Sequence, residues 1–437
     1  MPKFYLSILL CFTFYLVKSQ NLIKNYVKQN TSQILTIEPD SIDYADLQSI
    51  GDAIGNAKII MLGEQYHGDA ATFLAKSRLI KYLHEKKGFN VLAFESDFFA
   101  LNEGWDKLPK IKKDIDSFMY NNPFPIWSWC NTCSNLFYTY VAETFKTANP
   151  LQITGFDCQV HGLYSVKNMK RQLDSVFNIW IVKQPEISEA AKNVILFLDS
   201  LNSRTMTKDS NICNTLIKNL TIIFDNIKNI NTFDHFWVQI IKSLLTEATE
   251  IKAYLLKDKT QYHIRDMQMA ENIDWLCKNK YINEKIIIWA HNAHVAKNTG
   301  DIFNFSSSDN NMMGSYIDRN PDLKSKVYIM GFTSYEGSSS FANTTKLNRD
   351  LEKPKKNSFE NWIDRRYDYA FVDFKKFNEL NPGFTTGFFM KGSIYSSHHN
   401  YIYNWTNIFD GVFFIRQMYG CKQPFASVSS TATVKEQ

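Results

Sequence analysis

Ile59-Ile60-Met61-Leu62-Gly63-Glu64-Gln65-Tyr66-His67-Gly68 is the stretch that decides how this chain reads. Four apolar residues end at a glycine, and an acid and a histidine follow at once. The pattern returns twice. Asn90-Val91-Leu92-Ala93-Phe94 runs into Glu95, and Lys285 to Ala290 runs into His291-Asn292-Ala293-His294. Short apolar runs of this kind suit strands buried on both faces. Between the first two, Thr72 to Lys86 carries Phe73, Ile80 and Leu83 near helical spacing, with Leu74 and Leu79 broadening the face and Gly88 as the stop. Strand, helix and strand in that order predict a parallel sheet. Ligands of open α/β sheets bind outside the carboxyl ends of the strands. Acids and imidazoles placed there predict one polar pocket, and a hydrolytic enzyme as the first functional class.

Working outward, a strand is expected at Leu151–Phe156, running into Asp157-Cys158-Gln159, and others at Lys326–Phe332 and Gly411–Arg416. Residues 101–150 read as irregular and aromatic-rich, and residues 337–358 as a polar loop. From about Ser165 to Lys280, apolar residues recur at three and four, which predicts helices in series. The expected architecture is therefore α/β: a mostly parallel central sheet flanked by helices, with a large helical insertion or cap over a deep cleft. Residues 20–160 form the first part of the core, 161–280 the helical insertion, 281–420 the second part, and 421–437 a flexible tail. A chain of 437 residues that is 44% hydrophobic and 15% aromatic can fill such a core.

The N-terminus reads as a secretory signal over residues 1–19, with Lys3 ahead of the apolar run Phe4–Val17. Export to the periplasm or medium is the expectation, with no stable membrane span once the signal is cleaved. The net charge of +5 comes from 49 basic and 44 acidic residues with no long basic block, so no nucleic-acid partner is implied. Cys130 and Cys133 are the close cysteine pair. Their spacing admits a local disulfide, two buried thiols, or a redox or metal element.

The polar constellation divides into candidates for chemistry and candidates for binding. Glu64 and His67 lie three apart after a strand, where Gly63 and Gly68 permit a tight turn. Glu95 closes an apolar strand, a costly place for an acid unless it meets water or a partner such as Arg78. His291 and His294 suit either metal ligation or acid–base work. Lys76, Arg78, Trp127, Trp129, Asp157, Arg265 and Glu336 are candidates for the substrate-binding wall. Arg265 and its neighbour Asp266 either orient pocket groups or cover a helix face, and His161 stands behind the pocket or faces solvent. The chain has no P-loop, no G-x-G-x-x-G and no G-x-S-x-G elbow. Cys158 near His161 and Ser315 after Gly314 are weak nucleophile candidates.

LGEQYHG at 62–68, VLAFESD at 91–97, RDMQMAENIDWL at 265–276 and IIWAHNAHVAKN at 287–298 together resemble the erythromycin esterase family. ITGFDCQ at 153–159, MGSYI at 313–317 and MGFTSYEG at 330–337 are weaker matches. The resemblance implies a parallel α/β core with a deep cleft and hydrolysis of the lactone ester of macrolide antibiotics. It places the essential acid and histidine on Glu64 and His67, the second acid on Glu95, and the histidine pair on His291 and His294. His67 is implied as general base on water, with no covalent intermediate and no required metal. The sequence departs from the family pattern at Tyr66, where a small hydroxyl residue is usual, and at Ala71, where an acid is usual. Lys76 replaces an arginine, while Arg78 is retained. Lysine keeps the charge and loses the planar fork of donors.

The expected function is thus hydrolysis of an ester or lactone by His67-activated water. Glu64 would orient the base or hold the water, Glu95 would tune the base, and His291 or His294 would hold the oxyanion. The expected partner is a small-molecule ester or lactone, with no cofactor. Two rivals stand beside this reading. One is a hydrolase using a divalent metal such as zinc on His67, His291 and His294. The other is a non-catalytic protein that binds haem or another hydrophobic small molecule.

Overall fold

The computed structural model describes residues 19–201, 208–230, 233–258, 260–299, 311–341, 349–394 and 398–422. Among them the strands run β1 (Ser32–Ile34), β2 (Ile59–Leu62), β3 (Phe89–Asp97), β4 (Gln152–Asp157), β5 (Lys285–Trp289) and β6 (Val327–Ser339). They continue with β7 (Arg349–Asp350), β8 (Tyr369–Asp373), β9 (Phe388–Met390), β10 (Tyr401–Tyr403) and β11 (Gly411–Met418). One sheet has the order β1-β8-β11-β6-β2-β5-β3-β4, with β7 on the far part of β6; β9 and β10 form a separate pair. The six strands from β11 to β4 are parallel, and β8, β1 and β7 add antiparallel edges. The expected α/β architecture is present, with helices on both faces of a mostly parallel sheet.

Alternation along the strands sorts the core into two layers, because successive strand residues face opposite sides. Ile59, Met61, Val91, Ala93, Ile286 and Ile288 pack with the central helices on one face. Ile60, Leu62, Leu92, Phe94, Ile287 and Trp289 pack with the helix Ala70–Lys87 on the other. That helix ends where Gly88 takes a left-handed conformation (φ 71°), which glycine adopts without a Cβ clash. The stretch expected to be helical holds Leu163–Lys183, Ser188–Phe197, Ser210–Ile227, His235–Leu255 and Gln261–Trp275. Leu216, Leu220, Ile223 and Ile227 show its helical spacing, and all are buried. These helices share their core with the sheet.

Several local expectations are corrected. The run at 58–62, expected to open the sheet, is preceded by the short strand β1. β6 continues through Ser339 into the stretch read as loop, because Gly337 pairs with Met418 of β11 and Ser338 and Ser339 pair with Asp350 and Arg349 of β7. Residues 101–150 hold short helical turns, among them Lys112–Asn121 and Pro125–Ser128. Cys130 is joined not to Cys133 but to Cys421, with Cα atoms 5.3 Å apart, and Cys133 is a buried free thiol. Residues 1–18 of the expected signal and 423–437 of the expected tail lie outside the described residues. Among the described residues, no helix is long and apolar enough to cross a membrane.

Candidate active site

β5 lies between β2 and β3 although it comes later in the chain. Leu62 and Phe94 both sit opposite Trp289 in register. The residues just beyond that shared level therefore converge: Glu64 after β2, Glu95 within the last part of β3, and His291 after β5. Asp157, at the end of β4, joins them opposite Asp97. Gly63 is required by close approach, since a Cβ there would overlap the side chain of Asn292. Asn292 is itself pinned, donating to the carbonyls of Phe332 and Gly392 and accepting from the Phe332 amide. Its own amide donates to the Glu64 carbonyl (2.8 Å).

Glu64 is fully buried and accepts three side-chain hydrogen bonds. Lys76 Nζ donates to Oε2 at 2.6 Å; Trp127 Nε1 and His67 Nδ1 lie 2.9 and 2.8 Å from Oε1. Burial pushes the Glu64 carboxyl pKa up, but the Lys76 charge and the donors outweigh it, and the group stays ionised. Lys76 also donates to the Ala290 carbonyl and stands 4.5 Å from the centre of the Trp289 ring. A carboxylate partner fixes Nδ1 of His67 as the protonated nitrogen. Nε2 is left as a lone-pair site with no protein partner among the described residues. His67 is 28% exposed where Glu64 is 0% exposed, so the pair opens to solvent on the histidine side.

The second half of the cluster is an ionic lattice. Glu95 Oε1 accepts from Arg265 Nη2 (2.9 Å) and His294 Nε2 (3.1 Å), and Oε2 accepts from the His291 amide (3.0 Å). Burial opposes the Glu95 charge, but His294 and Arg265 hold its pKa well below the ordinary range. Arg265 grips Asp157 through Nε (3.0 Å) and Nη2 (2.6 Å). Its Nη1 has no carboxylate partner among the described residues and lies 3.4 Å from His294 Nε2. The two histidines three apart take opposite charge states. His294 contacts Asp266 at 2.8 Å through Nδ1 and Glu95 through Nε2. Burial works against its charge, yet the two carboxylates raise its pKa to about 10. His291 donates from Nε2 to the Gln65 carbonyl (2.8 Å) and accepts the Ala293 amide at Nδ1 (3.0 Å). Burial, with His67 and His294 beside it, lowers its pKa to about 3, so it is neutral.

Glu64, His67, Lys76, Glu95, Trp127, Asp157, Arg265, His291 and His294 are thus brought together. Three expected wall residues are not. Arg78 is buried on the other side of its helix, where it donates to both Asp46 oxygens and to the carbonyls of Thr36 and Asp43; it does not pair with Glu95. Trp129 stacks on Tyr120, and Glu336 is exposed along β6. Lys76 and Trp127 touch Glu64, so they support the acid and do not form an open wall. The metal set expected from His67, His291 and His294 is not assembled, because both ring nitrogens of His291 and His294 already hold hydrogen bonds. Neither ring offers a free donor to an oxyanion; Arg265 Nη1 does. Burial raises the Cys158 thiol pKa, and Ser315 Oγ bonds Thr299, so neither is an activated nucleophile.

Sequence reasoning missed Gln65 and Asn292 as scaffolding. It also missed Glu247 and Glu250 of the helix His235–Leu255, which meet the Val160 amide and the Gln159 side chain. Burial raises the Glu250 carboxyl to about 7. Nothing in the helical pattern marks those acids as inward-facing. Cavities of about 510 Å³ beside Trp275 and about 380 Å³ beside Tyr164 share no residue with the cluster.

Comparison with known proteins adds a family and a fold. A family model described as erythromycin esterase matches residues 84–418, a span that begins after Glu64 and His67. A Bacillus subtilis (strain 168) protein named "Putative hydrolase YbfO" is 26% identical over 338 residues, covering 71% of this chain and 72% of that protein. Erythromycin esterase type II of Escherichia coli is 23% identical over 296 residues, covering 63% and 69%. Among solved structures, a Bacillus cereus protein superposes with a TM-score of 0.69 at 19% identity, covering 92% of this chain and 99% of that one. A mutant of the erythromycin esterase EreC in its open conformation gives 0.60 at 16%, covering 91% and 99%. At these identities the structural matches establish the fold alone.

Proposed function

Because this chain belongs to the erythromycin esterase family, we propose that it hydrolyses an ester or lactone bond with water activated by His67, macrolide lactones being the first substrates to test. The observation that carries the reading is the His67 ring, held on Glu64 through Nδ1 with Nε2 open toward solvent. Nε2 takes a proton from water as the water oxygen attacks the ester carbon. The Glu64 carboxylate stabilises the imidazolium that forms and keeps the ring in the productive tautomer. Arg265 Nη1 receives the developing oxyanion, because it alone in the Arg265–His294–Glu95 lattice has uncommitted donors. On collapse, the proton on Nε2 passes to the leaving alkoxide, giving one acid and one alcohol. Glu95 stays ionised as the anchor of the two cations beside it. The protein is an exported one on this reading; a disulfide between Cys130 and Cys421 supports an oxidising compartment.

Turnover of a macrolide lactone and of a panel of simpler esters and lactones, followed by mass spectrometry in isotopically labelled water, tests this. The label should enter the acid product, survive chelator treatment, and fall by about 100-fold or more in rate in His67→Ala. Hydrolysis that does not need His67, or a trapped acyl-enzyme, overturns the mechanism.

A further inference from the structure

Resting on that reading, we infer that Trp127 is a positioning residue for the Glu64–His67 pair and that the Cys130–Cys421 disulfide holds Trp127 there, making the hydrolytic centre sensitive to reduction. Trp127 Nε1 and His67 Nδ1 share one oxygen, Glu64 Oε1, so the indole helps set where that oxygen points. The His67 ring also meets the indole edge-on, with centroids 5.9 Å apart. Yet Trp127 sits in a single helical turn, Pro125–Ser128, too short to be stable on its own.

Beyond its packing against Phe94, Phe124 and Trp289, its support comes from the far end of the chain. The Cys130 amide donates to the Trp127 carbonyl, and Cys130 is bonded to Cys421. The Asn131 amide donates to the Lys422 carbonyl at 2.9 Å, and the Lys422 amide returns a bond to Asn131 Oδ1 at 3.2 Å. The same segment grips the loop that carries His67. Ala70 donates to the Tyr419 carbonyl (3.0 Å), Cys421 donates to the Gly68 carbonyl (3.3 Å), and Asp69 bridges Gly420. Residues 419–422 are a crossbar with Trp127 on one side and the His67 loop on the other. The disulfide is its covalent fastening.

Reduction by glutathione converts the S–S bond to two thiols, with two electrons and two protons taken from two glutathiones, which leave as their disulfide. The crossbar then keeps only its hydrogen bonds. Trp127 loosens, the Glu64 oxygen loses its second donor, and the base loses its fixed aim. Substrate contacts elsewhere are untouched, so the effect belongs in kcat.

The experiment equilibrates the full-length mature protein in glutathione redox buffers and counts free thiols. It then measures kcat and KM on a reactive ester, beside Cys130→Ser/Cys421→Ser and Trp127→Phe. The expected result is a fall in kcat of about 10-fold to 100-fold on reduction, with KM nearly unchanged. The double serine variant should be as slow and indifferent to reductant, and Trp127→Phe should match it with the disulfide intact. Amide exchange of residues 64–70 and 125–133 is read on the same samples and should quicken together on reduction. Unchanged kcat in the folded double serine variant overturns the proposal, leaving the disulfide a plain staple. If no ester is turned over, exchange still decides: quickening at both segments supports the clamp, and protection that survives reduction overturns it. Failure of the hydrolase reading and failure of the clamp are therefore separate outcomes.

Discussion

At the residue scale, the centre is governed by pairs whose charges exist because of each other. Lys76 and Glu64 are both fully buried and 2.6 Å apart. Removing one partner strands the other charge in a medium that cannot solvate it. Lys76→Met should cost about 3 to 5 kcal/mol, measured by urea unfolding, and adding Glu64→Gln should restore much of it. A single variant within about 1 kcal/mol of wild type would show that the pair is not buried as described. His294 supplies a pH test. Its folded pKa, about 10, lies above its unfolded value, so its stabilising contribution is complete below about pH 6.5 and is lost as pH rises toward 10. The unfolding free energy should fall across that window in wild type, by on the order of a few kcal/mol, and fall less in His294→Gln; parallel curves would remove the imidazolium. The sequence presented His291 and His294 as an equivalent pair. Their opposite charge states come from their surroundings: Asp266 and Glu95 raise the pKa of His294, while burial beside His67 and His294 lowers that of His291. No local spacing encodes that.

At the element scale, helix geometry sorts residues that the sequence left together. Lys76 and Arg78 are two apart, so on a helix of 3.6 residues per turn they point to opposite sides. Lys76 reaches the strand ends, while Arg78 ties the helix Ala70–Lys87 to Asp46 and the segment before β2. Arg78→Met should therefore destabilise the fold by about 3 kcal/mol or more, since it leaves Asp46 nearly buried without its partner. In the folded variant kcat should stay within about threefold of wild type. A large loss of kcat at preserved stability would return Arg78 to the site. Element type was legible where apolar runs were unbroken, as at β2, β3 and β5. It was not legible for β8, β9 and β10, short strands whose partners supply much of what holds them. Continuation of β6 past Gly337 is likewise owed to β7, which pairs with Ser338 and Ser339, and not to its own composition.

At the scale of the whole molecule, sheet order and one covalent bond assemble a site from distant segments. The insertion of β5 between β2 and β3 could be anticipated only as convergence at strand ends; the order itself is a property of packing. The disulfide was beyond reach for a related reason. Cys130 and Cys133 are close in sequence, but the partner chosen lies 291 residues away, where β11 ends beside the His67 loop. A cross-link of that span restricts the unfolded chain far more than a local one. On the chain-entropy account it contributes on the order of 5 kcal/mol, less any distortion it imposes. Urea unfolding of the oxidised protein and of Cys130→Ser/Cys421→Ser measures the difference directly. A loss of several kcal/mol with an increased dependence on urea fits a less restricted unfolded state. Equal midpoints and slopes would mean that the two cysteines are not joined in the folded protein, and the crossbar between Trp127 and the His67 loop would then rest on hydrogen bonds alone.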